Sequence, residues 1–207
     1  MIIERLPLGV YAANCYIVMC EETKEAMIVD LGGEPEEIIK KSKELGFNIK
    51  CIVLTHGHGD HIAGIPDLLR TVKCPVYIHE KDEEMLLDPK LNLTASMSTK
   101  EISIRPDGLL KDGDIIKVGN LDIKVIHTPG HTMGGISLHV GNYLITGDTL
   151  FKGSIGRTDL YGGSYDEILD SVNNKLLKFS DETIILPGHG PATKVGIEKN
   201  TNPFARI

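Results

Sequence analysis

Apolar residues in the first half of the chain fall into short runs rich in Ile, Val and Tyr, with polar breaks between them. Such runs favour β-strands, and they cover residues 2–6, 12–19, 26–30, 50–54 and 75–78. A helix is predicted after the third run, because Pro35 suits a first turn and Gly46 suits a helix end. Shorter helices are predicted from Pro66 and over the acidic residues 80–88. The first half therefore predicts strands followed by strand–helix units.

The second half repeats this broad order. Its apolar runs predict strands at residues 114–118, 121–127, 135–140, 143–147 and 183–186. Gly119-Asn120 and Gly141-Asn142 join neighbouring strands in the manner of tight hairpin turns. A helix is predicted over residues 164–178, because Ser164 and Glu167 form a capping box in front of an apolar stripe.

Strands and helices in this order predict an α+β fold, a four-layer αββα sandwich in which two mixed sheets are flanked by helices. A length of 207 residues fits one domain over residues 1–207, with no separate C-terminal helical domain. Residues 89–111 are the least regular stretch. Long loops in compact domains are often functional flaps, so we expect this stretch to wall a substrate pocket.

The composition limits the possible binding partners more than it limits the possible folds. The chain has 22 Lys and Arg against 29 Asp and Glu, a formal charge of −7, which argues against nucleic acid. No leader and no bilayer-spanning run is visible, so no membrane partner is expected. The four cysteines lack Cys-x-x-Cys spacing and predict reduced thiols; they are Cys15, Cys20, Cys51 and Cys74. These features predict a cytoplasmic location and no particular oligomeric state.

Candidate chemistry begins directly after the run at 50–54, where three imidazoles and a carboxylate occupy residues 56–61. On an extended backbone, side chains two apart point the same way, so His56 and His58 can hold one ion. Asp60 and His61 follow, where a turn into a helix can direct them to a second ion. Imidazole and carboxylate are the usual ligands of zinc and iron. The stretch therefore predicts a metal site.

Three further candidates each follow a predicted strand on a short loop that contains glycine: His131, Asp148 and His189. Loops at one end of a sheet scaffold can converge, which gives seven ligands for two ions. Asp148 is the natural bridge, because a carboxylate has two oxygens to share.

Three histidines are left out of this set. His79 and His139 are predicted to be surface residues. His127 competes with His131 for the ligand role, but the Pro-Gly turn before His131 frees its backbone from the strand. His131 is therefore preferred, with His127 packing nearby.

Together these residues resemble the metallo-β-lactamase superfamily through its His-x-His-x-Asp-His motif. The segments 147–151, 153–159, 187–191 and 201–204 look like those of short-form glyoxalase II proteins, which are hydroxyacylglutathione hydrolase-like. The resemblance implies that one metal is held by His56, His58 and His131. It implies that Asp60, His61 and His189 hold the other, with Asp148 as the bridge.

Two differences from full-length glyoxalase II concern substrate binding. Only 18 residues follow His189, where those enzymes carry a helical domain that helps to bind glutathione. Arg157 stands at the position of their glutathione-contacting Lys, and Asp159 stands where a Tyr is expected. Arg157 is the candidate for binding a substrate carboxylate; a surface or structural role remains the alternative.

The resemblance implies hydrolysis of a small-molecule thioester, including glutathione thioesters. A hydroxide between two divalent ions would attack the carbonyl, with Asp60 as the catalytic residue that orients it. Zinc is the expected metal, with iron or manganese as alternatives. The runner-up is a mononuclear iron persulfide dioxygenase on the same fold. A phosphodiesterase or nuclease ranks lower because of the negative charge. A common zinc β-lactamase ranks low because Cys is expected at position 148, and a non-catalytic metal protein is the remaining alternative.

Overall fold

The computed structural model of the protein describes residues 1–97 and 100–205. Its first sheet has the strand order β1-β2-β3-β4-β5-β6. The first three strands pair antiparallel and the others pair parallel. The bounds are β1 Ile2–Leu8, β2 Ala13–Met19, β3 Glu25–Val29, β4 Asn48–Val53, β5 Val76–His79 and β6 Gly108–Leu110.

The second sheet has the order β14-β13-β10-β9-β8-β7, and a hairpin of β11 and β12 lies beside it. All its neighbours pair antiparallel except β10 and β13. The bounds are β7 Ile115–Val118, β8 Leu121–His127, β9 Ile136–Val140, β10 Tyr143–Gly147, β11 Leu150–Phe151, β12 Ser154–Ile155, β13 Ile184–Pro187 and β14 Thr193–Lys194. Both sheets are mixed, as predicted.

The α-helices are α1 Pro35–Leu45, α2 Gly59–Ile62, α3 Ile65–Leu68, α4 Glu83–Leu87, α5 Tyr165–Asp170 and α6 Val195–Thr201. The Ser164 hydroxyl accepts a hydrogen bond from the Glu167 N–H, as the capping box predicted. The continuous helix predicted over residues 164–178 is wrong beyond Asp170. There the chain widens into a π turn over Ser171–Lys175 and then tightens into a 3₁₀ turn over Leu176–Lys178. The apolar stripe signals burial, but it does not distinguish these three kinds of helical turn.

The alternation of side chains along β2 shows how the layers form. Cys15 and Ile17 belong to the core between the first sheet and its helices. Tyr16 and Val18 point the other way, into the core between the two sheets. A third core joins the second sheet to α5 and the turns after it. Since successive side chains along a strand point to opposite faces of the sheet, a fully buried strand serves two cores. The predicted αββα sandwich is confirmed.

Two other sequence predictions are met. The hairpin turns at Gly119 and Gly141 are present, and both glycines have a φ of +56°, which suits glycine. The four cysteines are free thiols. Across residues 1–97 and 100–205, no helix has the length and apolar character needed to cross a membrane.

The predicted surface position of His79 is wrong. It is 3% exposed, and its ring stacks on that of His127 with centroids 4.2 Å apart and planes 4° from parallel. His127 belongs to β8 of the other sheet, so the ring of His79 is covered across the two sheets, which sequence spacing does not reveal. His139 is half-buried and packs on Phe179, with ring centroids 4.7 Å apart. The predicted packing role of His127 agrees with its stacking on His79.

The His79–His127 stack makes stability sensitive to acid. Burial lowers the pKa of His79 to about 4, so the folded protein binds fewer protons here than the unfolded chain, whose histidines titrate near about 6.5. This stability is present above the unfolded pKa and is lost as the pH falls towards the folded pKa. We expect the wild type to lose about 1–2 kcal/mol more than His79→Phe between about pH 7 and pH 5. Urea unfolding at both pH values measures this, and equal losses in the two proteins would contradict it.

Candidate metal centre

The histidine motif begins where β4 ends. β4 ends at Val53, the chain bends at Thr55 and His56, and α2 begins at Gly59 after the extended residue His58. His56 and His58 therefore leave from the segment between strand and helix, while Asp60 and His61 leave from the first turn of a helix. The predicted change from strand to helix within the motif is present.

The other three candidates come from loops at strand ends in the second sheet. His131 follows β8, Asp148 follows β10, and His189 follows β13. The loop of His189 is held by the first sheet: the Asn14 side chain donates to the carbonyl oxygens of Pro187 and Gly190, at 2.8 and 2.9 Å. The two sheets thus meet at this edge, and the four loops converge.

Among the described residues, three groups of ligand atoms lie close enough together to hold an ion. Asp30, His56 and His61 form one of them, and the candidate ligands alone form the other two, called here the first and the second group. In the first, one ring nitrogen from each of His56, His58 and His131 lies within 4.8 Å of the others. In the second, the same holds for ligand atoms of Asp60, His61 and His189. These are the two sets that the family resemblance implies for two ions.

Asp148 lies between the two groups. Its Oδ1 is 3.4 Å from Nε2 of His61, and its Oδ2 is 3.7 Å from Nε2 of His131 and 3.6 Å from Nε2 of His189. One carboxylate therefore faces both sets of imidazoles, which is the position that a bridging ligand needs.

Hydrogen bonds at Nδ1 make Nε2 the atom that faces the other candidate ligands in three of the five imidazoles. His131 Nδ1 donates to the carbonyl oxygen of Arg157 at 2.8 Å, and His61 Nδ1 donates to Asp30 Oδ2 at 2.8 Å. His56 Nδ1 lies 3.1 Å from the Thr55 hydroxyl, which itself donates to Asp30. Such contacts fix the tautomer and orient a histidine for a metal.

Unpartnered atoms give an independent test of whether the residues fit metal ions. Among the described residues, the buried side-chain polar atoms without a hydrogen bond are His56 Nε2, His58 Nε2 and Asp148 Oδ1. All three belong to the candidate ligand set. Since buried polar atoms are otherwise almost always paired, these lone pairs fit divalent metal ions.

The protonation of the histidines differs between the two ligand groups. Burial lowers the pKa of His58 to about 3 and holds that of His56 well below its usual range. Burial also disfavours protonation of His61, but the carboxylates of Asp148 and Asp30 outweigh it and raise the pKa to about 10. The first group is therefore neutral and ready to coordinate, while His61 must release a proton when it binds an ion.

Asp30 is a site residue that sequence reasoning missed. It is 2% exposed and accepts hydrogen bonds from the N–H and hydroxyl of Thr55, at 2.8 and 2.7 Å, as well as from His61. Its φ of +57° is unusual for a residue other than glycine. The available signal was an acidic residue at the end of the third apolar run, one residue before a Gly-Gly pair.

A cavity of about 370 Å³ opens in front of the ligand groups. Its apolar wall comprises Tyr11, Leu93, Met97 and Leu160. Leu93 and Met97 belong to the irregular stretch 89–111, which was predicted to wall a pocket. Ser98 and Thr99 of that stretch lie outside the described residues.

Arg157 also lines this cavity. Its guanidinium forms two hydrogen bonds of 2.7 Å with the carboxylate of Asp159, and both side chains are exposed. The Arg157 guanidinium thus lines the cavity, but it is already paired with the carboxylate of Asp159.

Comparison with known proteins agrees with this geometry. The family model described as the metallo-β-lactamase superfamily matches residues 8–189. The chain is 35% identical over 208 residues to hydroxyacylglutathione hydrolase GloC of Haemophilus influenzae, a match that covers 99% of this chain and 98% of GloC.

Solved structures agree as well. BLEG-1 B3 metallo-β-lactamase superposes with a TM-score of 0.92 at 38% identity, covering 98% of this chain and 99% of that one. TTHA1623 in a di-iron-bound form superposes with a TM-score of 0.85 at 31% identity, covering 97% and 99%. With its fold, its His and Asp groups suited to divalent metals and these similarities, the chain belongs to the metallo-β-lactamase superfamily.

Proposed function

We propose that the protein is a binuclear metal-dependent thioesterase of the hydroxyacylglutathione hydrolase type. The observation that carries the proposal is the position of Asp148, whose two oxygens face both ligand groups. A site for two ions favours hydrolysis over the mononuclear iron chemistry of a persulfide dioxygenase. The similarity to GloC along the whole chain supports the thioester as substrate.

His56, His58 and His131 would hold one ion, Asp60, His61 and His189 would hold the other, and Asp148 would contact both. Two such ions lower the pKa of a water molecule to about 7 and polarise a carbonyl oxygen. Zinc is the proposed metal. Iron is the alternative, and the di-iron form of TTHA1623 supports it.

Asp60 orients the attacking water in this proposal. Burial favours its neutral form, but a hydrogen bond from His189 at 3.2 Å and the nearby imidazole of His61 hold the pKa of Asp60 well below its usual range. Its side chain is 24% exposed and lines the cavity. Asp60 is therefore an anionic hydrogen-bond acceptor at the wall of the cavity, placed to orient a water molecule by accepting its hydrogen bond.

The leaving group needs little help from the protein. A thiolate, with a solution pKa of about 8.5, departs without a general acid. The apolar wall of Leu93, Met97 and Leu160 would shield the acyl group from bulk solvent. The protein's own contribution is then to position the ligands, orient the water and shape the cavity.

We expect the zinc-loaded protein to hydrolyse S-D-lactoylglutathione with saturable kinetics, because thiolate release and carbonyl attack both suit this site. His58→Ala should abolish turnover, since it removes a ligand of the first group. His139→Ala is the matched control: it deletes an imidazole on β9 outside the site and should keep the wild-type rate. Loss of the thioester's ultraviolet absorbance follows the reaction.

Absence of turnover in protein that holds two ions per chain would overturn the thioesterase proposal. β-Lactam hydrolysis, which the sequence ranked below the dioxygenase, gains support from the similarity to BLEG-1. Turnover of a chromogenic cephalosporin without thioester cleavage would support it. Oxygen uptake with glutathione persulfide in iron-loaded protein would instead identify the dioxygenase.

Arg157 is proposed to bind a substrate carboxylate, with Asp159 as its competitor. We expect Asp159→Asn to lower KM for S-D-lactoylglutathione about twofold to fivefold, because an exposed ion pair is weak and its loss frees the guanidinium. The kcat value should stay unchanged.

Two comparisons control for an indirect effect of Asp159→Asn. Arg157→Gln should raise KM for the glutathione thioester, and neither variant should change KM for the neutral thioester S-acetyl-N-acetylcysteamine. Equal shifts for the charged and the neutral substrates would rule out direct carboxylate binding by Arg157.

A further inference from the structure

Asp82 is a buried acid that the proposed reaction does not use. It has no exposed surface and lies in the 3₁₀ turn Glu80–Asp82 before α4. Its Oδ2 accepts hydrogen bonds from the Thr132 hydroxyl at 2.7 Å and the Gly57 N–H at 3.2 Å. Its Oδ1 accepts one from the Gly134 N–H at 2.6 Å. All of the hydrogen bonds described for its side chain thus come from two loops.

Those two loops carry the first ligand group. Gly57 stands between His56 and His58, and Thr132 directly follows His131. One carboxylate therefore ties the histidine motif after β4 to the loop after β8, which belong to different sheets. Beyond this tie, His58 Nδ1 lies 2.9 Å from His131 Nε2.

The backbone is fitted closely around this contact. A Cβ at Gly134 would lie 2.6 Å from the backbone nitrogen of Asp82 and 2.7 Å from its Oδ1. A Cβ at Gly57 would lie 2.9 Å from the Cβ of Met85, one turn after Asp82. The segment from Asp82 to Met85 thus packs directly against both loops.

An ionised carboxylate at this depth is costly, because burial favours the neutral form and raises the pKa of Asp82 to about 6. Within residues 1–97 and 100–205, no ion pair is found for Asp82. A buried anion held by N–H and O–H donors specifies geometry more than stability.

We propose that Asp82 is a positioning residue that sets the spacing of His58 and His131 for a shared metal ion. Outer hydrogen bonds of metal ligands typically alter metal affinity about 10-fold to 100-fold. Here the contact acts through the backbone of both ligand loops. The inference rests on the metal centre and is independent of the thioester substrate.

The test is metal affinity, measured by competition between the protein and a chromogenic chelator for zinc. Asp82→Asn places an amide NH₂ against N–H donors. It should therefore lower the affinity for one of the two zinc ions about 10-fold to 100-fold. The other ion should bind as in the wild type. Because no substrate is involved, failure of the thioesterase assay would leave this result unaffected.

Glu198→Gln is the matched control. Glu198 is also fully buried, and it accepts hydrogen bonds from Thr193 Oγ1, Gly153 N and Asn202 Nδ2, at 2.6, 2.8 and 2.8 Å. These donors lie outside the ligand loops. We expect a lower Tm from this variant and wild-type affinity for both zinc ions.

Wild-type zinc affinity in Asp82→Asn, or equal weakening in Glu198→Gln, would overturn the proposal and leave Asp82 a purely structural residue. If Asp82→Asn does not fold, Thr132→Val decides by the same criteria. That change removes one donor to Asp82 while it keeps the shape of the side chain. It should lower the affinity for the same zinc ion by several-fold.

Discussion

Replacing Asp148 by alanine is expected to reduce hydrolysis at least about a thousandfold, roughly 4 kcal/mol of transition-state stabilisation. The side chain is 11% exposed and faces His61, His131 and His189 at 3.4 to 3.7 Å. Without it, neither ligand group keeps its shared oxygen donor. We therefore also expect zinc content to fall from two ions per chain to one or fewer. Elemental analysis and kcat measure the two effects.

Asp122→Ala is a suitable control for removal of a carboxylate. Asp122 is exposed and pairs with Lys117 on the β7–β8 hairpin at 2.8 Å, so its loss should leave zinc content and kcat unchanged. Two tightly bound ions and near-wild-type turnover in Asp148→Ala would show that the bridging assignment is wrong. Two ions without turnover would limit Asp148 to a role in the reaction itself.

The second large effect is expected from Gly188→Ala, which adds one methyl group beside the same carboxylate. The new Cβ would lie 2.1 Å from Asp148 Oδ1 and 2.9 Å from Cε1 of His61. Both neighbours are held in a packed site, so the carboxylate must move. Since overpacking costs about 1–3 kcal/mol, we expect a lower Tm. Activity should fall about 100-fold, a loss typical of misplaced catalytic groups.

Gly190→Ala separates this clash from the general effect of alanine in the same loop. Nothing lies within 4 Å of a Cβ at Gly190, although its φ of +75° imposes about 1–2 kcal/mol of strain on alanine. Gly190→Ala should therefore lose stability while its zinc content and kcat remain near wild type. Indistinguishable kinetics in the two variants would show that the close approach of Gly188 to Asp148 is unimportant.

The sequence pattern was sufficient to predict features that depend on residues close together in the chain. The strand runs, the hairpins at Gly119 and Gly141, and the capping box at Ser164 each depend on residues a few positions apart. The histidine motif is also local, since a strand that turns into a helix presents His56, His58 and His61 within six residues. Its companions His131, Asp148 and His189 could be predicted because each follows a strand on a glycine-containing loop.

Tertiary structure alone decided the contacts that cross between elements. Asp30 reaches His61 over 31 positions, and Asp82 reaches Thr132 over 50; no periodicity in the sequence connects such residues. The stack of His79 on His127 likewise joins β5 of one sheet to β8 of the other. The sequence by itself determined the candidate ligands and the layers of this protein. The packing of two sheets decided how those ligands are held, because buried hydrogen bonds join whatever groups the fold brings together.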